Sequence, residues 1–181
     1  MLTLLLSMII MLGFVAETAS ANHSETGVEN TSWQELTDSD SLIGSRFLDV
    51  RETDVNGKTH RLSKYAGKGK WVLVDFWASW CGPCKAEMPN VVAAYKEYHS
   101  RGFEIVGFSF DVDREAWINA IKSWDMPWIH LSDLKGWNSE AGKVYGIRGI
   151  PDNILINPDG IIVARDLRGP ELKQVLSEIF Q

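Results

Sequence analysis

Residues 71–84 of this 181-residue chain, WVLVDFWASWCGPC, limit its folding choices more than any other stretch. Residues 71–78 are apolar except for Asp75. A short continuous apolar run reads as a strand buried on both faces, which requires a layer on each side of its sheet. Both cysteines of the chain follow at once, in Trp80-Cys81-Gly82-Pro83-Cys84. Pro83 suits the first turn of a helix. A helix is therefore expected from there to about residue 100, kinked at Pro89. Cys81 would lie beside the unpaired N–H groups of the helix start, where the positive end of the dipole favours a thiolate. The thiolate is the form that attacks disulfides. Cys84, one turn further in, can reach Cys81 and close a reversible disulfide. The expected roles are an exposed nucleophile, Cys81, and a buried resolving thiol, Cys84. The alternatives are a purely structural bridge or half of a zinc site. The zinc reading lacks partners, because there is no second Cys pair and His23, His60, His99 and His130 are scattered.

The rest of the chain alternates strands and helices. Residues 47–62 alternate loosely around Val55-Asn56-Gly57-Lys58, and Asn-Gly marks a hairpin turn. Residues 103–110 form a second apolar strand. Asp113 can cap a helix over 114–125, in which Trp117, Ile118, Ile121 and Trp124 recur at helical spacing. Then come a short strand (128–131), a short helix (139–145) and strands at 153–156 and 161–165. Asn157-Pro-Asp-Gly160 is the turn between those two strands, and a helix from Pro170 ends the chain, burying Leu172, Val175, Leu176 and Ile179. After the hairpin the order is βαβαβαββα. It predicts an α/β fold: a mixed central β-sheet flanked by helices, with the N-terminal β-hairpin as an extension. Eight Trp residues suggest a filled core plus some exposed aromatic surface. Trp80 is expected over the dithiol, Trp77 there or in the core, and the other Trp residues in the core.

Charge separates a tail from this body. Of the 24 acids, six lie in the first 45 residues, which hold no Lys or Arg; the remaining 136 residues balance 18 acids against 18 bases. A neutral body has no electrostatic footprint for nucleic acid. Residues 2–16 are almost wholly apolar and lead to Ala19-Ser20-Ala21. That reads as a secretory signal peptide over 1–21, or as a retained anchor, although no base precedes the apolar run. The run is shorter than the ~20 residues that span a bilayer. Residues 22–43 read as a polar acidic linker and 44–181 as the folded domain. Export, to the periplasm in the expected reading, places the cysteines in an oxidising compartment.

Residues 74–84, VDFWASWCGPC, resemble the active-site segment of the thioredoxin superfamily. Other features are similar to its exported TlpA/ResA-like branch of thiol-disulfide oxidoreductases. They are the leading export signal, the hairpin, the C-x-x-C-x-x-E-x-P run at 81–89 and YGIRGIPDNILINPDG at 145–160. The resemblance covers about residues 44–181 and implies a thioredoxin fold. It implies that Ile150-Pro151 is the loop facing the C-x-x-C, with a cis proline that exposes the Ile150 backbone to an extended substrate segment. Trp80, Gly82, Pro83, Ile150 and Pro151 are then the expected substrate-contacting residues. Asp152 departs from the family, in which Thr or Ser usually follows that proline. A charge there would alter substrate preference or lower the reactivity of Cys81.

Two acids compete for the proton of Cys84. Asp75, six residues before Cys81, should have a pKa raised by burial. It can take the proton as Cys84 attacks the mixed disulfide. Glu87, three residues after Cys84, shares its helix face and matches the active-site Glu of the branch. Thioredoxins carry Asp at the position of Asp75, where the branch often has Asn, so the pair is a hybrid pattern. A structural reading stands beside each: a hydrogen-bonded acid at 75, and at 87 an exposed Glu stabilised by the helix dipole.

The expected function is thiol–disulfide exchange, reducing disulfides of exported proteins, with cytochrome c maturation-type substrates as one option. No cofactor or metal is expected, the chain is expected to be a monomer, and electrons would come from a membrane electron donor of the DsbD/CcdA type. Gly-Pro between the cysteines resembles the reducing thioredoxins, in a superfamily whose potentials run from about −270 mV to about −120 mV. Two other classes compete. One is a thiol peroxidase, because the hairpin also occurs in peroxiredoxins, although residues 76–80 lack their Pro-x-x-x-Thr-x-x-Cys run. The other is a non-catalytic binding domain with a structural bridge.

Overall fold

The central strand, β3 (Trp71–Trp77), has no exposed face: its last six residues are all buried. It pairs in parallel with β4 (Phe103–Ser109) and antiparallel with β6 (Asp152–Ile156). The computed structural model describes residues 42–181. The expected signal peptide and nearly all of the acidic linker lie outside them. Leu42, at the end of that expected linker, is buried in the core.

The other strands are β1 (Arg51–Asp54), β2 (Thr59–Arg61), β5 (Ile129–Ser132) and β7 (Ile162–Arg165). All seven form one sheet in the order β2-β1-β5-β4-β3-β6-β7. β5 is parallel to β4, while β1 and β7 add antiparallel strands on either side. The sheet is therefore mixed. It is flanked by α1 (Gly82–Tyr98), α2 (Arg114–Ser123), α3 (Glu140–Val144) and α4 (Gly169–Ile179). The expected order of elements is reproduced in full.

Local signals explain the element ends. Cys81 is the N-cap of α1, with Pro83 in the first turn, and the helix continues through Pro89 on its exposed side. Asp113 caps α2 by accepting the N–H groups of Glu115 and Ala116 at 2.8 and 3.1 Å, an arrangement worth about 1 kcal/mol. The buried face of α2 is Trp117 and Ala120; Ile118, Ile121 and Trp124 are only partly covered. α4 buries Leu172 and Leu176, with Val175 and Ile179 at the margin.

The hairpin turns at Asn56-Gly57, with Gly57 at φ +79°. A polar chain that sequence reasoning missed pins it. Asp54 Oδ2 meets His60 Nε2 at 2.8 Å, and Tyr65 Oη meets His60 Nδ1 at 2.9 Å. Asp54 Oδ1 accepts the N–H groups of Asn56 and Lys58 at 2.8 and 2.9 Å. Burial pushes the Asp54 carboxyl up, but the bonds from Lys58, His60 and Asn56 outweigh it and hold its pKa below the usual value.

Candidate active site

Beyond β3 the chain reaches the dithiol through a short loop fixed from behind. The buried carboxylate of Asp111 accepts the Ser79 N–H at 3.0 Å and the Ser109 hydroxyl at 2.7 Å. Cys81 and Cys84 are joined as a disulfide. The Cys84 N–H points at Cys81 Sγ, 3.1 Å away. One orphan donor of the helix start thus faces the first sulfur, as the spacing predicts. Cys81 is 4% exposed and Cys84 1%. The expected contrast between an exposed and a buried sulfur is therefore small in the disulfide form. The reason is the facing loop: the Ile150 carbonyl oxygen lies 3.6 Å from Cys81 Sγ.

The Ile150–Pro151 bond is cis. The Pro151 carbonyl accepts from Arg168 Nη2 at 2.6 Å. Asp152 Oδ2 accepts from Arg165 Nη2, also at 2.6 Å, with both side chains largely buried. The charge that departs from the family pattern is thus paired with Arg165. Asp152 Oδ1 is buried with no hydrogen-bond partner among the described residues. Burial outweighs the Arg165 pairing and raises the Asp152 pKa.

Asp75 sits opposite Asn153 in the β3–β6 pairing. It is 3% exposed, and its Oδ2 has no hydrogen-bond partner among the described residues. Burial first, then the negative charges of Glu87 and Asp152, push its pKa up to about 7. Glu87 is committed elsewhere. Its Oε1 accepts the Gly169 N–H at 2.7 Å and its Oε2 accepts from Asn90 Nδ2 at 3.2 Å. It thereby caps the first turn of α4, whose own N-cap residue, Arg168, makes no side-chain capping bond to the helix.

Residues 43–165 match the AhpC/TSA family, a span of more than half the chain. The chain belongs to the AhpC/TSA family. Among relatives, it is 34% identical over 139 residues to the thiol-disulfide oxidoreductase ResA of Bacillus thuringiensis subsp. konkukian, covering 77% of each protein. Among solved structures, it is similar to the thioredoxin domain of a thiol-disulfide oxidoreductase from Bacteroides vulgatus, with a TM-score of 0.70 and 33% identity over 77% of this chain and 98% of that one. A thiol-disulfide oxidoreductase from Bacteroides fragilis gives a TM-score of 0.70 and 34% identity over 75% and 99%. This AhpC/TSA member has a thioredoxin-like fold and is a thiol-disulfide oxidoreductase.

In this AhpC/TSA chain the structure brings Cys81, Cys84, Ile150 and Pro151 together. Trp80 stands beside them, 54% exposed, while Gly82 and Pro83 lie exposed in the first turn of α1. Asp75 and Glu87 share one electrostatic neighbourhood with Asp152. Trp77 resolves to core. The expectation that the remaining Trp residues fill the core is corrected at Trp137, which is 51% exposed and tilted 6.1 Å from Trp80. Sequence reasoning also missed Asp111. Its only local signal was an acid directly after an apolar strand, too common a pattern to single it out.

Proposed function

We propose that this oxidoreductase reduces disulfides of exported proteins. The observation that carries the reading is a Cys pair at a helix start, with a buried carboxyl in the strand leading to it whose Oδ2 has no partner among the described residues and whose pKa burial pushes up to about 7. In the reduced chain, the Cys81 thiolate attacks one sulfur of the substrate disulfide, and the other sulfur leaves as a thiolate. Asp75 takes the proton of Cys84, whose thiolate then displaces the substrate from Cys81. The substrate gains two electrons and the chain ends as the Cys81–Cys84 disulfide. Trp80, Gly82, Pro83, Ile150 and Pro151 hold the substrate segment across the dithiol. Glu87 acts on the proton step only through its charge on Asp75 and through the α4 contact.

Residues 1–21 act as the export signal or anchor, residues 22–43 as the linker, and the domain works in the periplasm. Because the chain ends each cycle oxidised, a membrane electron donor of the DsbD/CcdA type must restore the dithiol. The likeness to ResA and the TlpA/ResA-like motifs support cytochrome c maturation-type substrates.

Equilibration of the Cys81/Cys84 couple in dithiol buffers tests the direction of the reaction. A potential near that of thioredoxin, about −270 mV, is expected, and one near about −120 mV overturns the reductase reading. Cys81→Ser should abolish exchange. Peroxide consumption in place of disulfide reduction would favour the thiol peroxidase.

A further inference from the structure

The short connection from β7 to α4 holds three consecutive residues, Pro151, Asp152 and Asn153, where the chain leaves the Ile150–Pro151 loop. Arg168 Nη2 donates to the Pro151 carbonyl and Arg165 Nη2 to Asp152 Oδ2, each at 2.6 Å. Asn153 is gripped by both ends of its amide. Its Oδ1 accepts the Leu167 N–H at 3.0 Å, and its Nδ2 donates to the Leu167 carbonyl at 2.7 Å. The Asn153 carbonyl accepts the Asp166 N–H at 2.8 Å. The same connection ends on Gly169, whose N–H goes to Glu87 of α1. It therefore touches both sides of the site: the loop facing Cys81 and the helix that carries Cys84.

Its shape aims Arg168. Asp166 and Gly169 lie at φ +56° and +48°, a region that Asp enters more readily than most side chains. Asp166 Oδ1 meets Arg168 Nη2 at 2.5 Å. That nitrogen thus joins Asp166 to the Pro151 carbonyl. Arg168 is half-exposed and does not cap α4. Its reach to Pro151 has a backbone consequence. The proline ring already fixes φ of Pro151, so ψ is the soft dihedral left there. A held carbonyl sets it. The Ile150 carbonyl, 3.6 Å from Cys81 Sγ, is the next one back along the chain.

We propose that Arg168 is a positioning residue that makes the enzyme favour disulfides carried in an extended polypeptide over small disulfides. This rests on the reductase reading, in which the substrate segment lies across Ile150 and Pro151, and deepens it by naming a residue that sets substrate choice. A polypeptide must match the Ile150 backbone as well as bring a sulfur to Cys81. A small disulfide needs only the approach to Cys81. Loosening the Pro151 carbonyl therefore penalises the polypeptide far more. A loop held ready in its binding conformation lowers the ordering cost of association.

The test uses the reduced full-length chain and two uncharged substrates: a peptide dimer joined by one disulfide, and bis(2-hydroxyethyl) disulfide. Uncharged substrates remove any direct effect of the Arg168 charge. Oxidation of the chain is followed in a single turnover, and the readout is the ratio of the two second-order rate constants. Arg168→Ala should lower the peptide-to-small ratio about tenfold. Arg168→Lys keeps a charged donor and should recover part of the ratio. A peptide N-methylated next to its cysteine has lost a backbone donor. It should react more slowly than its parent with the unmodified chain, and at nearly the parent's rate with Arg168→Ala. A ratio that Arg168→Ala leaves unchanged, even where both rates fall together, overturns the role of Arg168 and leaves the reductase standing. An unmodified chain that reduces neither disulfide overturns both.

Discussion

Two buried aspartates in one sheet, Asp54 on β1 and Asp75 on β3, lie on opposite sides of the usual carboxylate range. Both lose water. Asp54 offsets the loss through three hydrogen bonds, two from backbone N–H groups and one shared with His60, whose charge also favours the carboxylate. Asp75 keeps an unpartnered oxygen and faces two further acids, and its pKa rises to about 7. Burial alone therefore does not set the protonation state; the supply of donors to the charged form does. The hairpin uses its carboxylate as a fastening. The central strand leaves its carboxyl short of donors, with a pKa raised to about 7.

Replacing Asp75 should break this contrast most strongly. The folded-state pKa of Asp75 lies above its unfolded value, so the folded chain binds the extra proton between about pH 4 and about pH 7. Stability attributable to Asp75 is complete below the unfolded pKa and is lost as pH rises through about 7. Three pK units correspond to about 4 kcal/mol at most. Asp75→Asn should therefore be more stable than the unmodified protein at pH 8, with a flatter stability–pH curve in chemical denaturation. Release of the mixed disulfide by Cys84 should slow by about 100-fold at neutral pH. Glu52 on β1 is also buried, with a pKa pushed up to about 7 by burial and by the Asp133 charge, so part of the pH slope should survive. Unchanged resolution kinetics in Asp75→Asn would remove Asp75 from the proton step.

The reverse experiment targets the hairpin. His60→Ala removes one of the three hydrogen bonds to buried Asp54 and the ring partner of Tyr65. Leaving such groups unsatisfied costs about 2–3 kcal/mol. The loss should appear as a lower denaturation midpoint with exchange rates intact. In the unmodified protein the contribution of Asp54 has the opposite sign to that of Asp75. Its folded pKa is depressed, so the stability is present above the unfolded pKa and disappears as pH falls through the folded value. A fall in exchange rate that exceeds the loss of folded protein would mean that the hairpin reaches the site.

The legible parts of this molecule are those encoded locally. The apolar run 71–78, the Asn-Gly turn, the Asp113 cap and the C-x-x-C at a helix start each declare themselves within a few residues, and each stands where expected. The cis bond at Pro151 was legible only through family likeness. What was not legible depends on tertiary contacts between different elements. Glu87 reads as a free acid one turn after Cys84 until Gly169, 82 residues further on, takes its oxygen. Asp152 reads as a loose charge until Arg165 on β7 meets it. Trp137 reads as core because periodicity cannot show that its loop turns outwards. A hydrophobic pattern reports which faces are buried, not which polar groups find one another.

The smallest effect belongs to Glu87, and it separates the two acids that the motif leaves in competition. Glu87→Gln keeps an oxygen that can accept the Gly169 N–H, so the α4 cap survives. What it removes is one negative charge near Asp75. That charge is the second contributor, after burial, to the raised pKa of Asp75. Its removal should therefore lower the Asp75 midpoint, by less than about one pK unit, since burial dominates. The shift should be read from the pH dependence of mixed-disulfide resolution, a profile that loss of a purely structural contact would not displace. The maximal rate should change by less than about threefold, the range of a group that acts through a neighbour's charge alone. A loss as deep as that of Asp75→Asn would instead mean that the proton of Cys84 passes to Glu87, with Asp75 as the charge that tunes it.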